Sequence, residues 1–204
     1  MFALSPLQRD ALCEIFNIGV GQAASLMSDM LDEEILLSVP QLAFLDMAAA
    51  TAGLGALGPR MCSVRQPFEG PFSGDAVLVF PEDKSIDIVR RMLSKAVPLA
   101  HFTELEQDAL TEVGNIILNA CIATLADVFQ LSFDCGLPYL EVGSSRQALG
   151  AAPLGHMVLL LHIDFELAHC QVDGFVVFVL NTTSLDRLRQ AVDRFLGELP
   201  SLPR

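Results

Sequence analysis

Glu14 with Asn17, and again Glu112 with Asn115, are residues whose types and spacing could do chemistry together. On a helix, residues three apart lie about 60° apart around the axis and about 4.5 Å along it, so a carboxylate and an amide spaced this way can address one partner group at once. Asp10 and Asp108 stand four residues before each Glu, one turn earlier on the same face, where a carboxylate also complements the positive end of the helix dipole. A solvated helix face would explain one Asp-x3-Glu-x2-Asn match. It does not explain two. Asn is a mediocre residue for a helix interior, and solubility gives no reason for an amide at the same offset from Glu in both copies.

The echo extends beyond the triplet. Leu7 answers Leu105, Ile18 answers Ile116, Asp29 answers Asp127, and Pro40 follows Asn17 at the distance at which Pro138 follows Asn115. The chain reads as a duplication, about 1–98 and 99–204, with two related sites. Each copy needs a long helix to carry its polar stripe. Ser5-Pro6 opens the first, since Ser caps free amides and Pro is pre-organised at the first helical position, and a helix over Pro6–Leu31 follows. Its periodicity puts Leu12, Ile15, Phe16, Ala23, Leu26 and Met30 on a buried face and Asp10, Glu14, Asn17, Gly21 and Ser28 on the other. Thr103 with Glu106 forms a capping box that opens the second helix, over 104–130.

Strands are expected at 35–45, where Pro40 marks a start, edge or break, and at 61–66 and 74–80, with a helix over 84–96. The second half repeats the order with strands at 139–143, 157–167 and 175–180 and a helix over 184–196. The expected fold class is α+β, a two-layer α/β arrangement. In it a pseudo-two-fold duplication of an α-β-β-β-α unit shares one core and one mainly antiparallel six-stranded sheet, with the long helices packed on it, as a single domain over 1–204.

Composition narrows the function. The chain has 204 residues, 52% of them hydrophobic, which is ample for a core. Its 12 basic against 25 acidic residues leave a net charge of -13, which opposes binding to phosphate backbones and to anionic membrane surfaces. The N-terminal residues show no basic segment followed by a long apolar one, so a cytoplasmic protein is expected. The longest uninterrupted apolar runs, 157–161 and 175–180, fall far short of the roughly 20 residues of a membrane-spanning helix, and no membrane insertion is expected. Five cysteines without a C-x-x-C pair indicate neither a disulfide framework nor a structural zinc site.

Other chemistry is thin. Gly53-Leu-Gly55-Ala-Leu-Gly58 matches a dinucleotide fingerprint formally, but no clear strand leads into it and Pro59 follows at once. His101, His156, His162 and His169 make no pair at helical metal-ligand spacing; His162 and Asp164 could share a strand face, yet they read as ordinary core or surface polar residues, and no metal is assigned. Asn181-Thr-Thr183 fits a glycosylation sequon that a chain without a secretion signal would not use.

With Pro40 and Pro138 included, the pattern resembles the signature of the CheC, CheX and FliY phosphatases of bacterial and archaeal chemotaxis: Asp or Ser, three residues, Glu, two residues, Asn, twenty-two residues, Pro. Asp10, Glu14, Asn17 and Pro40 meet it once, and Asp108, Glu112, Asn115 and Pro138 meet it again. The resemblance is strongest to CheC, with both sites' motifs present. It implies a phosphatase that hydrolyses the aspartyl phosphate of a CheY-like response regulator and so ends a chemotaxis or related two-component signal. In that family reading Asn17 and Asn115 orient the attacking water, Glu14 and Glu112 engage the regulator near its active-site Lys, and Asp10 and Asp108 support them.

The resemblance implies no cofactor of the chain's own, because the regulator supplies Mg²⁺ and Lys to the phosphoryl group. It allows a CheD-like protein as a second partner. Gly21 and Ala24 beside the first stripe, and Asn119 beside the second, would let a partner approach closely. Phe16 stands where the second copy has Gly114, so helix packing is expected to differ between halves. A reading from another class stays open: a non-catalytic adaptor that docks a response regulator, a CheD-like deamidase or the flagellar switch on the same helical faces.

Overall fold

The computed structural model describes residues 4–92, 103–150, 156–167 and 170–198. Along the chain run α1 (Pro6–Leu31), β1 (Ile35–Asp46), α2 (Met47–Gly55), β2 (Met61–Glu69), β3 (Gly74–Pro81), α3 (Glu82–Met92), α4 (Glu104–Phe129), β4 (Asp134–Cys135), β5 (Tyr139–Gly143), α5 (Ser145–Leu149), β6 (Met157–Leu167), β7 (Cys170–Leu180) and α6 (Thr182–Glu198). The fold is α+β. Every strand pairing is antiparallel. The sheet runs β1-β6-β7-β3-β2, and β2 then pairs with both β5 and the two-residue β4, which makes seven strands where six are expected.

That order is palindromic. When each strand is matched to the one in the same place in the other half, β1 with β5, β2 with β6 and β3 with β7, the sequence β1-β6-β7-β3-β2-β5 reads alike from both ends. The first strand of each half therefore pairs with the second strand of the other half.

Local chemistry places the two long helices as the sequence indicates. Ser5 with Gln8 and Thr103 with Glu106 form complete capping boxes, with Pro6 in the first turn of α1. Both helices end on a left-handed residue, Asp32 and Gln130, each at φ 53°, and at the end of α4 the Gln130 and Leu131 N–H groups satisfy late carbonyls without glycine. By length and composition α4 could cross a bilayer, but 56% of its most apolar window is buried inside this fold.

Alternation along the strands gives the sheet two apolar faces. Ala76, Leu78 and Phe80 with Leu159, Leu161 and Ile163 face the core under α1, α3, α4 and α6. Val77, Val79, Val158 and Val177 face the other way, where Ala50 and Leu54 of α2 and Ala148 and Leu149 of α5 cover them. The Gly53–Gly58 match thus straddles the end of helix α2, which is capped at its start by Asp46 and closes at Gly55. A helix there is not the strand-to-turn context that a dinucleotide site needs.

Several expectations need correcting. Leu26 and Met30 of α1 are 56% and 61% exposed, because the buried stripe of the helix is narrower than its apolar pattern suggests. Strands β2, β3 and β7 and helix α6 all extend past their expected limits. Residues 93–96 of the helix expected over 84–96, with His101 and His169, lie outside the described residues. Cys62 and Cys121 are buried free thiols, pushed up by desolvation to about 11 and about 12, whereas Cys135 is exposed.

The helix-packing difference at Phe16 and Gly114 has a geometric cause. Phe16 is fully buried with its ring 5.4 Å from that of Phe178 on β7. A Cβ on Gly114 would come within 2.4 Å of Val64 Cγ1 on β2, so α4 lies closer to its strand than a side chain permits. Gly114→Ala should therefore destabilise the fold by about 1–3 kcal/mol through overpacking; urea unfolding would read this as a lower midpoint at unchanged slope.

Candidate functional site

Near the middle of α1, β1 carries an irregularity. Ser38 pairs with Asp164 and Gln41 with His162, so Val39 and Pro40 together stand opposite Ile163. Such a bulge frees a peptide from the ladder, and Pro40 has no N–H to offer. The freed peptide is taken by Asn17: its Oδ1 accepts from Val39 N–H at 2.8 Å and its Nδ2 donates to Val39 O at 3.4 Å. Cys13 Sγ donates to the same carbonyl at 3.3 Å. The Asn-to-Pro spacing thus has a structural meaning, a side-chain amide closing a broken edge strand. Asp10 and Glu14 are exposed on the same helix.

The second site is built differently. Asn119 Nδ2 donates to Asn115 Oδ1 at 2.6 Å, and Gln66 Nε2 on β2 donates both to Asn119 Oδ1 at 3.0 Å and to Gly136 O at 3.1 Å. Gln66 is 2% exposed, and its Oε1 has no hydrogen-bond partner. This chain of amides fixes which end of Asn115 is engaged. Among the described residues Nδ2 of Asn115 has no protein acceptor, and the second lone pair of Oδ1 stays available. Asp108 and Glu112 are exposed beside it.

The divergence begins after α4. Gly136 N–H donates to Pro67 O, and β4 pairs with Phe68 and Glu69, which draws residues 134–136 onto β2. Leu137, in the place of Val39, is 88% exposed, so no peptide is offered to Asn115. Asn119 supplies the missing partner from the position that Gly21 holds in α1.

Each helix therefore presents its own Asp, Glu and Asn, and the six residues fall into two groups, one per helix. Gly21 is exposed with open space where a Cβ would stand, but Ala24 is buried and cannot line an approach. Reading the sequence missed Val39, Cys13 and Gln66. Pro40 signalled the first pair, as a break in strand pairing; nothing marks Gln66. Leu7, Ile18 and Leu105 are exposed apolar neighbours of the stripes. A cleft of about 510 Å³ lies on the other face of the sheet, where Arg65, 6% exposed, binds Asp75 at 2.8 Å and Ala148 O at 2.9 Å.

The domain is a palindromic α+β sheet carrying two long helices, each with an exposed Glu and, three residues on, a half-buried Asn. Residues 7–43 match the model of the CheC-like family. The chain is 27% identical over 140 residues to the CheY-P phosphatase CheC of Bacillus subtilis, covering 66% of each chain. It is 22% identical over 166 residues to the flagellar motor switch phosphatase FliY of the same organism, covering 80% of this chain and 43% of that one. It therefore aligns with less than two thirds of either relative.

Among solved structures it resembles Thermotoga maritima FliY, with a TM-score of 0.77 and 17% identity over 95% of this chain and all of that one. It also resembles the FliM middle domain of H. pylori, with a TM-score of 0.69 and 11% identity over 92% of this chain and 99% of that one. A third likeness is to the Borrelia burgdorferi CheX–CheY–BeF3–Mg complex, with a TM-score of 0.53 and 18% identity over 82% of this chain and 97% of that one. The chain is thus similar in sequence to CheC and FliY, and it shares the fold of the FliY and CheX structures.

The two amides should differ in what they contribute to folding. Asn17→Ala strands the Val39 peptide and should cost about 1–3 kcal/mol, whereas Asn115→Ala removes a half-exposed contact and should cost about 1 kcal/mol or less. Thermal melts of the two variants, compared at one protein concentration, check the order.

Proposed function

We propose that this chain is a phosphatase acting on the aspartyl phosphate of a CheY-like response regulator, a cytoplasmic hydrolase that ends a chemotaxis or related two-component signal. In this reading 1–98 and 99–204 are two repeats of one domain, each with a site: Glu14 and Asn17 supported by Asp10, and Glu112 and Asn115 supported by Asp108. The observation that carries it is the Asn115 amide, held at Oδ1 by Asn119 with Nδ2 uncommitted, beside an exposed Glu on a helix face. The names of the relatives, CheY-P phosphatase and motor switch phosphatase, support the substrate class. The CheX–CheY complex supports a response regulator as partner.

The chemistry asks little of the enzyme. An acyl phosphate is labile, and the regulator supplies Mg²⁺ and Lys to the phosphoryl group, so the chain needs no cofactor of its own. What it adds is position. A neutral amide that both donates and accepts can hold a water in line with the phosphorus without competing as a base, while Glu112 or Glu14 fixes the docking register against the regulator's cation. The half-spent hydrogen-bonding capacity of Asn17 makes its site the slower of the two. A CheD-like protein is a candidate regulator of the pair.

A docking role without turnover is the second reading. Asn17 is committed to Val39, and the same fold occurs in FliM middle domains. Phosphate release from a phosphorylated regulator separates the two. Asn115→Ala should lose most of the activity and Asn17→Ala less, with the double variant near the regulator's spontaneous rate. In the Asn17→Ala background, Gln66→Leu should lower turnover several-fold by loosening Asn119. Unchanged decay with the double variant, binding retained, would leave docking as the function.

A further inference from the structure

Removed from the polar helix faces, on the side of the sheet that α2 and α5 partly cover, His162, Asp164 and Asp173 form one group whose ligand atoms lie within 4.8 Å of one another. His162 Nε2 stands 3.7 Å from Asp164 Oδ1 and 3.4 Å from Asp173 Oδ1. We propose that these three residues bind a divalent transition-metal ion of the zinc class, tying β6 to β7 next to the bulge of β1. This proposal is independent of the phosphatase reading.

Strand geometry makes the triangle. His162 and Asp164 are two apart on β6 and so share a face, and Asp173 on β7 is the direct cross-strand partner of Asp164. Alternation along β6 already groups His162 with Asp164 in the sequence, whereas Asp173 joins them only through the register of β7. Two like charges directly opposite on neighbouring strands are destabilising unless something lies between them. The other half shows the neutralised form of the same place: Pro67 is the cross-strand partner of Asp75, and Arg65, two residues before Pro67, closes on Asp75 at 2.8 Å.

In the second half an Asp replaces that Pro and a His replaces that Arg, which adds one carboxylate and exchanges a permanent cation for a metal-ligating ring. The ring is held from outside the group. Phe175 is the cross-strand neighbour of His162 and stacks on it, 5.2 Å between centroids at 22°, which sets the plane that aims Nε2 at both carboxylates. A cleft of about 410 Å³ lined by Asp164, Asp173, Glu166 and Ser38 gives access and room for water in the remaining coordination positions. An imidazole with two carboxylates suits zinc-class ions, whereas Mg²⁺ prefers an all-oxygen set.

The full chain, stripped with EDTA and titrated with zinc chloride by calorimetry, should take up one equivalent. The His162 imidazole resonances should move with it, and the thermal midpoint should rise. His162→Gln, Asp164→Asn and Asp173→Asn should each weaken uptake at least about tenfold while leaving the metal-free circular dichroism unchanged, and Cys135→Ser should have no effect. Equal uptake by a His162→Gln/Asp173→Asn double variant would overturn the site. So would His162 resonances that stay put with equimolar zinc, which would leave an ion pair and nothing more.

Discussion

The exchange of strands between the halves is the constraint on which the other features rest. Because β1 completes its ladder on β6, and β2 pairs with β5, the first strand of each half has no neighbour from its own half: β6 and β7 stand between β1 and β3, and β5 lies beyond β2. The sheet closes only with both halves present, and α1 and α4 must then lie side by side over one face. Their approach is close. A Cβ on Gly19 would come within 3.0–3.2 Å of Thr124 Oγ1, Ala120 O and Cys121 Cα, so α1 leans on α4 through a position without a side chain. With the apolar sides of both helices turned to the sheet and to each other, the Glu-x2-Asn stripes have solvent as their remaining direction.

Within that frame, one displaced segment explains why two matching motifs behave differently. In the first half the chain after α1 continues as a long edge strand, and its bulge offers a peptide to Asn17. In the second half residues 134–136 are drawn onto β2 by Phe68, Glu69 and Pro67, so the edge strand starts only at Tyr139. An amide left half-buried without partners would be costly, and Asn119 with Gln66 supplies them from helix and sheet. The rigidity of Asn115 is then set by a buried residue on another element. Gln66 Oε1 without a partner is the residue of that arrangement, a polar atom whose burial follows from what Nε2 does.

How far the sequence spoke follows from the range of each interaction. Capping boxes, helix starts and the strand break at Pro40 depend on residues within one turn or one strand, and Ser5, Thr103 and Pro40 announce them. The short helix α2 was hidden because Ala and Gly outnumber the residues that give a helix its period. The exposure of Leu26 and Met30 depends on where the neighbouring elements stop, which no periodicity contains. Gln66 and Asn119 are 53 positions apart in the chain, and neither has a local reason to signal the other. The polar stripes were legible because they repeat; what holds each Asn in place was not, because it differs between the copies.

The candidate ion site and the Asn17 clamp meet at one residue. Ile163, between His162 and Asp164, is the point opposite which Val39 and Pro40 bulge, and the flanking pairs of that bulge are Gln41 with His162 and Ser38 with Asp164. Whatever fixes His162 and Asp164 to β7 therefore fixes the ladder on both sides of the bulge. The Val39 peptide owes its freedom to that irregularity, and Asn17 owes its two hydrogen bonds to the peptide. Asn115 is linked to β2 differently, through Asn119 and the side chain of Gln66 and not through a strand peptide. Each Asn thus meets the far face of the sheet at one strand position, Asn17 through the bulge opposite Ile163 and Asn115 through Gln66, which follows Arg65 on β2.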